Sequence, residues 1–366
     1  MTTRRDLLKA GALASAAAIL PRGVFADEVF APKVGKWRSF EIVTTVEILK
    51  PQGKVQAWLP VASFSNPDWF KPGENTWTTN AGSARIVRDP RSGADMLHLA
   101  WGEGEVAPKV VLTSRATTRD WSVDLSKPGK PAPLSADERA RNTAATDLIP
   151  TDGIVKATSD KIVAGKAGEL EKVGAIFQWI VENTYRNPAT RGCGIGDIGA
   201  LLKSGDLGGK CADLNALFVG LVRAQGIPAR DVYGLRVVPS RFGYKSLGAN
   251  SEIVTKAQHC RAEVFLSDFG WVPMDPADVR KVVLEEPPGK LAIDDPKVVA
   301  ARAALFGSWE GNWFAYNTAH DVALPGHDGS RLGFLMYPQA VSAGSLLDCL
   351  DPDTFKYVIR ASEIAV

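Results

Sequence analysis

The chain has 366 residues, 45% hydrophobic and 23% charged, with a formal net charge of +2. That length is enough for two domains with real cores. The near-neutral balance argues against nucleic acid as a partner, and no internal repeat is found.

The chain begins with Thr3-Arg4-Arg5-Asp6-Leu7-Leu8-Lys9, then an apolar run from Ala10 to Leu20, then Val24-Phe25-Ala26. This is a signal-peptide layout, and the paired arginines point to the twin-arginine route. The run is shorter than the roughly 20 residues that span a bilayer, and no later segment is long and apolar enough. The expectation is a periplasmic or secreted protein, mature from about Asp27, without stable membrane insertion. Removing residues 1–26 takes away four basic residues and one acidic residue and leaves a formal charge of −1.

Strand signals fill residues 27–130. Val55, Ala57, Leu59 and Val61 alternate with Gln56, Trp58 and Pro60. Leu97, Leu99 and Trp101 alternate with His98 and Ala100, and Val110-Val111-Leu112 begins another run. Gly, Pro, Asn and Asp clusters separate the runs, which predicts an all-β sandwich. His98 is expected to be an exposed strand residue, and Trp58, Trp69, Trp77, Trp101 and Trp121 to serve packing. Lys127-Pro128-Gly129-Lys130-Pro131-Ala132-Pro133 has the composition of a stiff linker. Ser135-Ala136-Asp137-Glu138 then starts a helix.

Leu170, Val173, Phe177 and Ile180 repeat at helical spacing, so a helix is predicted from Glu169 to about Asn183. A short helix follows over Ile198 to Lys203. Leu214, Leu217, Phe218, Leu221 and Val222 form one apolar stripe of a further helix, ended by Gly226 and Pro228. Gly208 and Gly209 are read as a sharp turn into it, which puts Cys211 at its N-terminus. There the unpaired amides and the positive end of the dipole stabilise a thiolate and can hold an oxyanion.

Val232 to Val238 is a strand, and the long aperiodic loop from Pro239 to Lys256 is expected to be a mobile flap near the site. In Gln258-His259-Cys260-Arg261-Ala262-Glu263-Val264-Phe265-Leu266, alternation puts His259 and Arg261 on one face. Cys260 is therefore expected in the core, facing away from His259. The returning strand Gly270-Trp271-Val272-Pro273-Met274-Asp275 brings Asp275 opposite or diagonal to His259 if the register is even. Pro273 must then sit at an edge or a non-bonded position. The segment from Asp278 to Pro296 reads as a charged, Pro-rich connector, and Val298 to Leu305 as a helix. Gly307-Ser308-Trp309-Glu310-Gly311-Asn312-Trp313-Phe314 packs large aromatics with Gly and Asn; it either lines a cleft or plugs the back of the core.

Four motifs occur in order: Gly209-Lys210-Cys211-Ala212-Asp213, Arg223-Ala224-Gln225-Gly226-Ile227-Pro228-Ala229-Arg230, His259-Cys260-Arg261-Ala262-Glu263-Val264-Phe265 and Gly270-Trp271-Val272-Pro273-Met274-Asp275-Pro276. Together they resemble the transglutaminase-like core of the papain-like cysteine enzymes over roughly residues 165 to 280. The resemblance implies an α+β fold: an N-terminal all-β sandwich, then a core whose cysteine-bearing helix packs on an antiparallel sheet. The β region resembles the domain that precedes many bacterial cores of this kind. The expected division is 1–26 signal peptide, 27–130 sandwich, 131–290 catalytic domain, and 291–366 an extension packed on the core. The segment Thr184-Tyr185-Arg186-Asn187 resembles one that lies beside the cysteine in this family; Tyr185 or Trp179 could serve the oxyanion, and the motif fixes neither.

The expected catalytic residues are Cys211 as nucleophile, His259 as base and Asp275 as the group that orients it. The reaction expected is attack on a carboxamide or peptide carbonyl, with the acyl group passing to water or to an amine of a protein or peptide. No cofactor is expected, and the absence of a C-x-x-C pair argues against structural zinc. Cys193 and Cys349 are the one pair considered for a disulfide. The alternative is a non-catalytic binding scaffold of the same fold at the cell envelope.

Overall fold

The computed structural model describes residues 29–365. The expected signal peptide, with Arg4, Arg5 and the Val24-Phe25-Ala26 site, lies outside the described residues.

Two sheets make the sandwich. One runs in the order Phe355–Ile364, Arg38–Ile48, Lys109–Thr118, Phe70–Thr79. The other runs Ser345–Leu346, Gln339–Ser342, Val55–Pro60, Asp95–Trp101, Ser83–Arg88. Arg38–Ile48 shows the period of two that a half-buried strand needs, burying Phe40, Ile42, Thr44, Val46 and Ile48. Val46, Leu59, Leu97, Leu99, Val110 and Phe355 form the apolar layer between the sheets.

The segment after 291 does more than pack on the core. Trp313–Asn317 joins the core sheet beside Ala229–Arg236. Phe355–Ile364 pairs along ten residues of Arg38–Ile48, and Gln339–Ser342 pairs with Val55–Pro60. Without these late strands, two strands of the sandwich would present open edges. This also explains Trp58. Its face of the strand is not solvated but covered by Ala319, Val322, Leu324 and Leu335, and the side chain is fully buried. His98 is half-buried rather than exposed: it stacks on Trp58 at 5.2 Å and its Nε2 lies 2.9 Å from Gln56 Oε1.

The core sheet is antiparallel in the order Gly270–Met274, Gln258–Leu266, Ala229–Arg236, Trp313–Asn317. Pro273 sits on its edge strand, as a residue without an N–H must. The helix Cys211–Arg223 lies on this sheet and against the helix Glu169–Asn183. Its sequence shows one apolar stripe, yet every residue but Asp213 is buried. The second face is covered by Ile149 and Ile198, which close over Gly220. Burying the five stripe residues contributes on the order of 10 kcal/mol, enough to fix the helix and so the cysteine at its head.

Two expectations change. Residues after Asp275 are a helix, Pro276–Glu285, rather than a connector. Asp275 caps it, Pro276 takes the first turn where no N–H is needed, and Val279 and Val282 are buried one turn apart. The loop from Pro239 to Lys256 is packed rather than a mobile flap. It buries Phe242, Tyr244, Leu247, Ala249 and Val254, and Leu247 O accepts from Arg236 Nη1 and Asn312 Nδ2.

Candidate active site

Cys211 is the first residue of its helix and is buried. The two glycines before it do not make a turn. Gly208–Gly209 is a short strand pairing in parallel with Tyr185–Arg186. A side chain at Gly208 would strike the Tyr185 ring at 2.3 Å, and one at Gly209 would strike Asp213 Cβ at 2.6 Å. The glycines thus allow close approach. Asp213 uses it: its carboxylate accepts from the amides of Lys210, Ile195 and Gly196 at 3.0 Å each. It locks the loop carrying Cys193 onto the helix start, where Ala212 N donates to Cys193 O at 2.9 Å.

His259 stands on Gln258–Leu266, and the strand register is the even one. Ala262 pairs with Met274, so Asp275 follows opposite Arg261 and diagonal to His259. His259 Nε2 meets Asp275 Oδ2 at 2.7 Å. That leaves Nδ1 free to serve Cys211, whose ionisation the histidine favours. The side chains of all three expected residues, Cys211, His259 and Asp275, therefore converge, each at most 3% exposed.

Other groups complete the cluster. Asp278, one turn into the helix that Asp275 caps, approaches His259 Nε2 at 3.3 Å and accepts from Arg236 Nη2 at 2.5 Å. Arg261 Nε lies 3.9 Å from Asp275 Oδ2, and its guanidinium sits over Trp309 and Trp313, at 5.3 and 4.9 Å from the ring centroids. Trp313 Nε1 donates to His259 O at 3.1 Å, so the aromatic segment backs the histidine strand instead of lining a cleft. Asn215, one turn after Cys211, donates to Cys260 O at 2.9 Å and Asp275 Oδ1 at 3.1 Å, and accepts from Ala277 N at 3.3 Å. One amide ties helix, strand and cap together.

Cys260 is buried as expected, and it falls in one cluster with Cys211 and Cys193. Pairing with Gly270–Met274 begins only at Ala262, and Asn215 of the cysteine helix reaches the free edge before it at Cys260 O, 2.9 Å away. All four cysteines are unpaired, and Cys193, considered for a disulfide with Cys349, lies instead against Cys211.

The protonation states follow from these contacts. Hydrogen bonds from the thiols of Cys193 and Cys260 hold Cys211 well below the ordinary thiol value; burial opposes them, and His259 adds to them. The bond to Cys211, with burial, raises Cys193 well above that value, so it stays an S–H donor. Burial, with the bond to Cys211, does the same for Cys260. Burial and Arg236 disfavour a charged His259, but Asp278 and Asp275 outweigh them and raise it from 6.5 to about 10. Burial opposes ionisation of Asp278 too, yet Arg236 and His259 hold it well below the carboxylate range. These shifts favour a thiolate–imidazolium pair near neutral pH.

His259, Asp275 and Asp278 offer ligand atoms within 4.8 Å of one another. Arg236 and Arg261 already neutralise these carboxylates, and an imidazolium holds no metal, so the set does not suit a cation. Of the two residues considered for the oxyanion, Tyr185 is exposed with its hydroxyl on Asp206, 2.8 Å away, and Trp179 packs on the helical core. Neither lines the cleft above Cys211.

Asp278, Asn215 and Cys193 were not assigned to the site from the sequence. Asp278 had a legible signal, Asp-Pro-x-Asp at a helix start. Asn215 had another, a polar residue one turn from Cys211 in an otherwise apolar helix. Cys193 had none, because a loop brings it in.

Residues 156–276 match the transglutaminase-like superfamily. An uncharacterised protein of Haemophilus influenzae is 34% identical over 336 residues, which is 87% of this chain and 89% of that one. The structure of a candidate cysteine protease from Cytophaga hutchinsonii superposes with a TM-score of 0.51 at 15% identity, over 90% of this chain and 99% of that one, a likeness of fold. The expected α+β fold with a transglutaminase-like core is thus met: residues 156–276 carry a domain of the transglutaminase-like superfamily, and the chain belongs to one family with the Haemophilus protein.

Proposed function

We propose that the protein is a cysteine-dependent amide-bond enzyme, a transglutaminase-like peptidase or acyltransferase that works through a thioester on Cys211. The observation that carries this reading is the Cys211–His259–Asp275 cluster at a helix head, with the sulfur held anionic, at the floor of a cleft of about 770 Å³. The thiolate attacks the carbonyl of a carboxamide or peptide, and a carbon–sulfur bond forms. The Cys211 backbone N–H serves the oxyanion. As the tetrahedral intermediate collapses, the carbon–nitrogen bond breaks and the imidazolium of His259 gives its proton to the leaving amine. Water or a second amine then loses a proton to His259 and displaces the sulfur. Asp275 keeps the ring oriented through both steps, and Asp278 helps keep it charged. The substrate is a protein or peptide outside the cytoplasm, on the ground of Arg4-Arg5 and Val24-Phe25-Ala26.

The test is alkylation of the thiol. Iodoacetamide should label Cys211 at mildly acidic pH faster than the other cysteines, and His259→Ala should remove that advantage. A Cys211 that alkylates like an ordinary thiol, indifferent to His259→Ala, sinks the enzyme reading in favour of a binding scaffold. Export is tested apart: N-terminal sequencing of periplasmic material should begin near Asp27, and material beginning at Met1 refutes it.

A further inference from the structure

We propose that the cleft over Cys211 is a binding site for an acidic peptide, so that the acyl donor carries carboxylates on either side of the reacting amide. The inference rests on the catalytic reading of Cys211 for its purpose, but its geometry is separate.

The cleft wall carries seven arginines and lysines and one carboxylate, Glu285, in a chain whose formal charge is only +2. Some of these cations are neutralised from behind: Arg236 by Asp278, Arg191 by Asp348 and Lys356 by Glu47. Others are not. Arg186 and Lys281 share the single charge of Glu285. Lys210, directly before Cys211, and Lys256, on the packed loop across the cleft, make no ion pair among the described residues. A net positive charge therefore remains in a concave site with low-dielectric walls, which focuses its field on whatever enters.

Gln258 lines the same cleft beside His259, and its buried side-chain amide lies by the Tyr357 hydroxyl. The wall near it is apolar, with Tyr337, Leu350 and Phe355. The spacing of the cations selects the ligand class. They come singly from separate elements: the helix head, the packed loop, the short Tyr185–Arg186 strand and the Pro276–Glu285 helix. Recognition of one phosphate calls for forks converging on a point. Single charges spread along a cleft suit a chain with several carboxylates.

Binding without turnover tests this. The full chain carrying Cys211→Ala is titrated against two fluorescent glutamine-containing peptides, one flanked by Asp and Glu, the other by Ser and Asn. The acidic peptide should bind about tenfold tighter, and the preference should fade at high salt. Lys210→Gln and Lys256→Gln should each weaken the acidic peptide about two- to fivefold and leave the neutral one unchanged. Equal affinity for the two peptides, or a preference indifferent to both lysines, overturns the proposal. So does displacement of the acidic peptide by inorganic phosphate or by phosphatidylglycerol vesicles at concentrations where acetate has no effect, which would assign the cleft to a phosphate or lipid headgroup. Because this variant lacks the Cys211 thiol, a failure here leaves the alkylation test of Cys211 standing, and a failed alkylation test leaves the peptide preference standing.

Discussion

The charge on His259 is held by two carboxylates, and Asp275→Asn measures the share of one. A rise from 6.5 to about 10 amounts to about 5 kcal/mol in favour of the imidazolium. Burial and Arg236 oppose it, so Asp278 and Asp275 supply all of that and more. Their distances to Nε2, 3.3 and 2.7 Å, are similar enough that each carries roughly half. Asparagine keeps the shape and the Oδ1 acceptor used by Asn215 and by the Asp278 amide. It loses the charge, which costs at least about 2–3 kcal/mol and brings the His259 midpoint down from about 10 to about 8 or lower. The chain has four histidines, so nitrogen-15 labelling of histidine gives a spectrum in which His259 can be assigned by a His259→Gln variant. The pH titration of that signal is the assay. The sign is fixed: a raised histidine favours folding below its ordinary value and loses that contribution as pH climbs through the folded one, so the variant's loss of stability should also be greatest below pH 8. A midpoint left near 10 would show that Asp275 does not hold the charge, and the reasoning would fall.

Four further outcomes are expected. Cys193→Ala removes the leading thiol donor to Cys211, so alkylation of Cys211 at mildly acidic pH should slow about tenfold; an unchanged rate would mean that Cys260 and His259 suffice to hold the thiolate. Asn215→Ala leaves Cys260 O and Ala277 N unsatisfied and takes one of two donors from Asp275 Oδ1, so it should cost about 2–4 kcal/mol by urea unfolding, and a loss under 1 kcal/mol would contradict its role as a tie. Burial raises the Asp231 carboxyl to about 7 with neither oxygen hydrogen-bonded, so its ionisation costs stability that grows between about pH 4 and pH 7. Asp231→Asn should therefore gain up to about 4 kcal/mol at pH 8 and almost nothing at pH 4, and a gain independent of pH would refute this. Truncation after Asp351 removes the strand Phe355–Ile364 and opens an edge along Arg38–Ile48, so the shortened chain should aggregate or expose apolar surface to a hydrophobic dye, and a soluble monomer with unchanged unfolding would show the strand to be dispensable.

The sequence by itself determined whatever depends on local period and order. The repeat of Leu170, Val173, Phe177 and Ile180 located the helix Glu169–Asn183, and Ser135 with Glu138 located the capped start of Ala136–Thr143. Alternation in Gln258–Leu266 and its return put His259 and Asp275 on one face, and the apolar stripe put Cys211 at a helix head. Each is a short-range relation that the backbone geometry of one element enforces. The tertiary structure decided what depends on which element lies beside which. No pattern near residue 355 says that its strand pairs with residues 39–48, because strand pairing carries no sequence signal across 300 residues. His98 reads as exposed, yet it is half-buried against Trp58, whose face the late segments cover. Cys260 was assigned to the core, and a free strand edge brings Asn215 of the cysteine helix to its carbonyl. Asp278 entered the site because Asp275 and Pro276 start a helix where charge and proline suggested a connector. Local sterics fix the elements, whereas the low-dielectric contacts that set the charges of Cys211 and His259 exist only once those elements are packed.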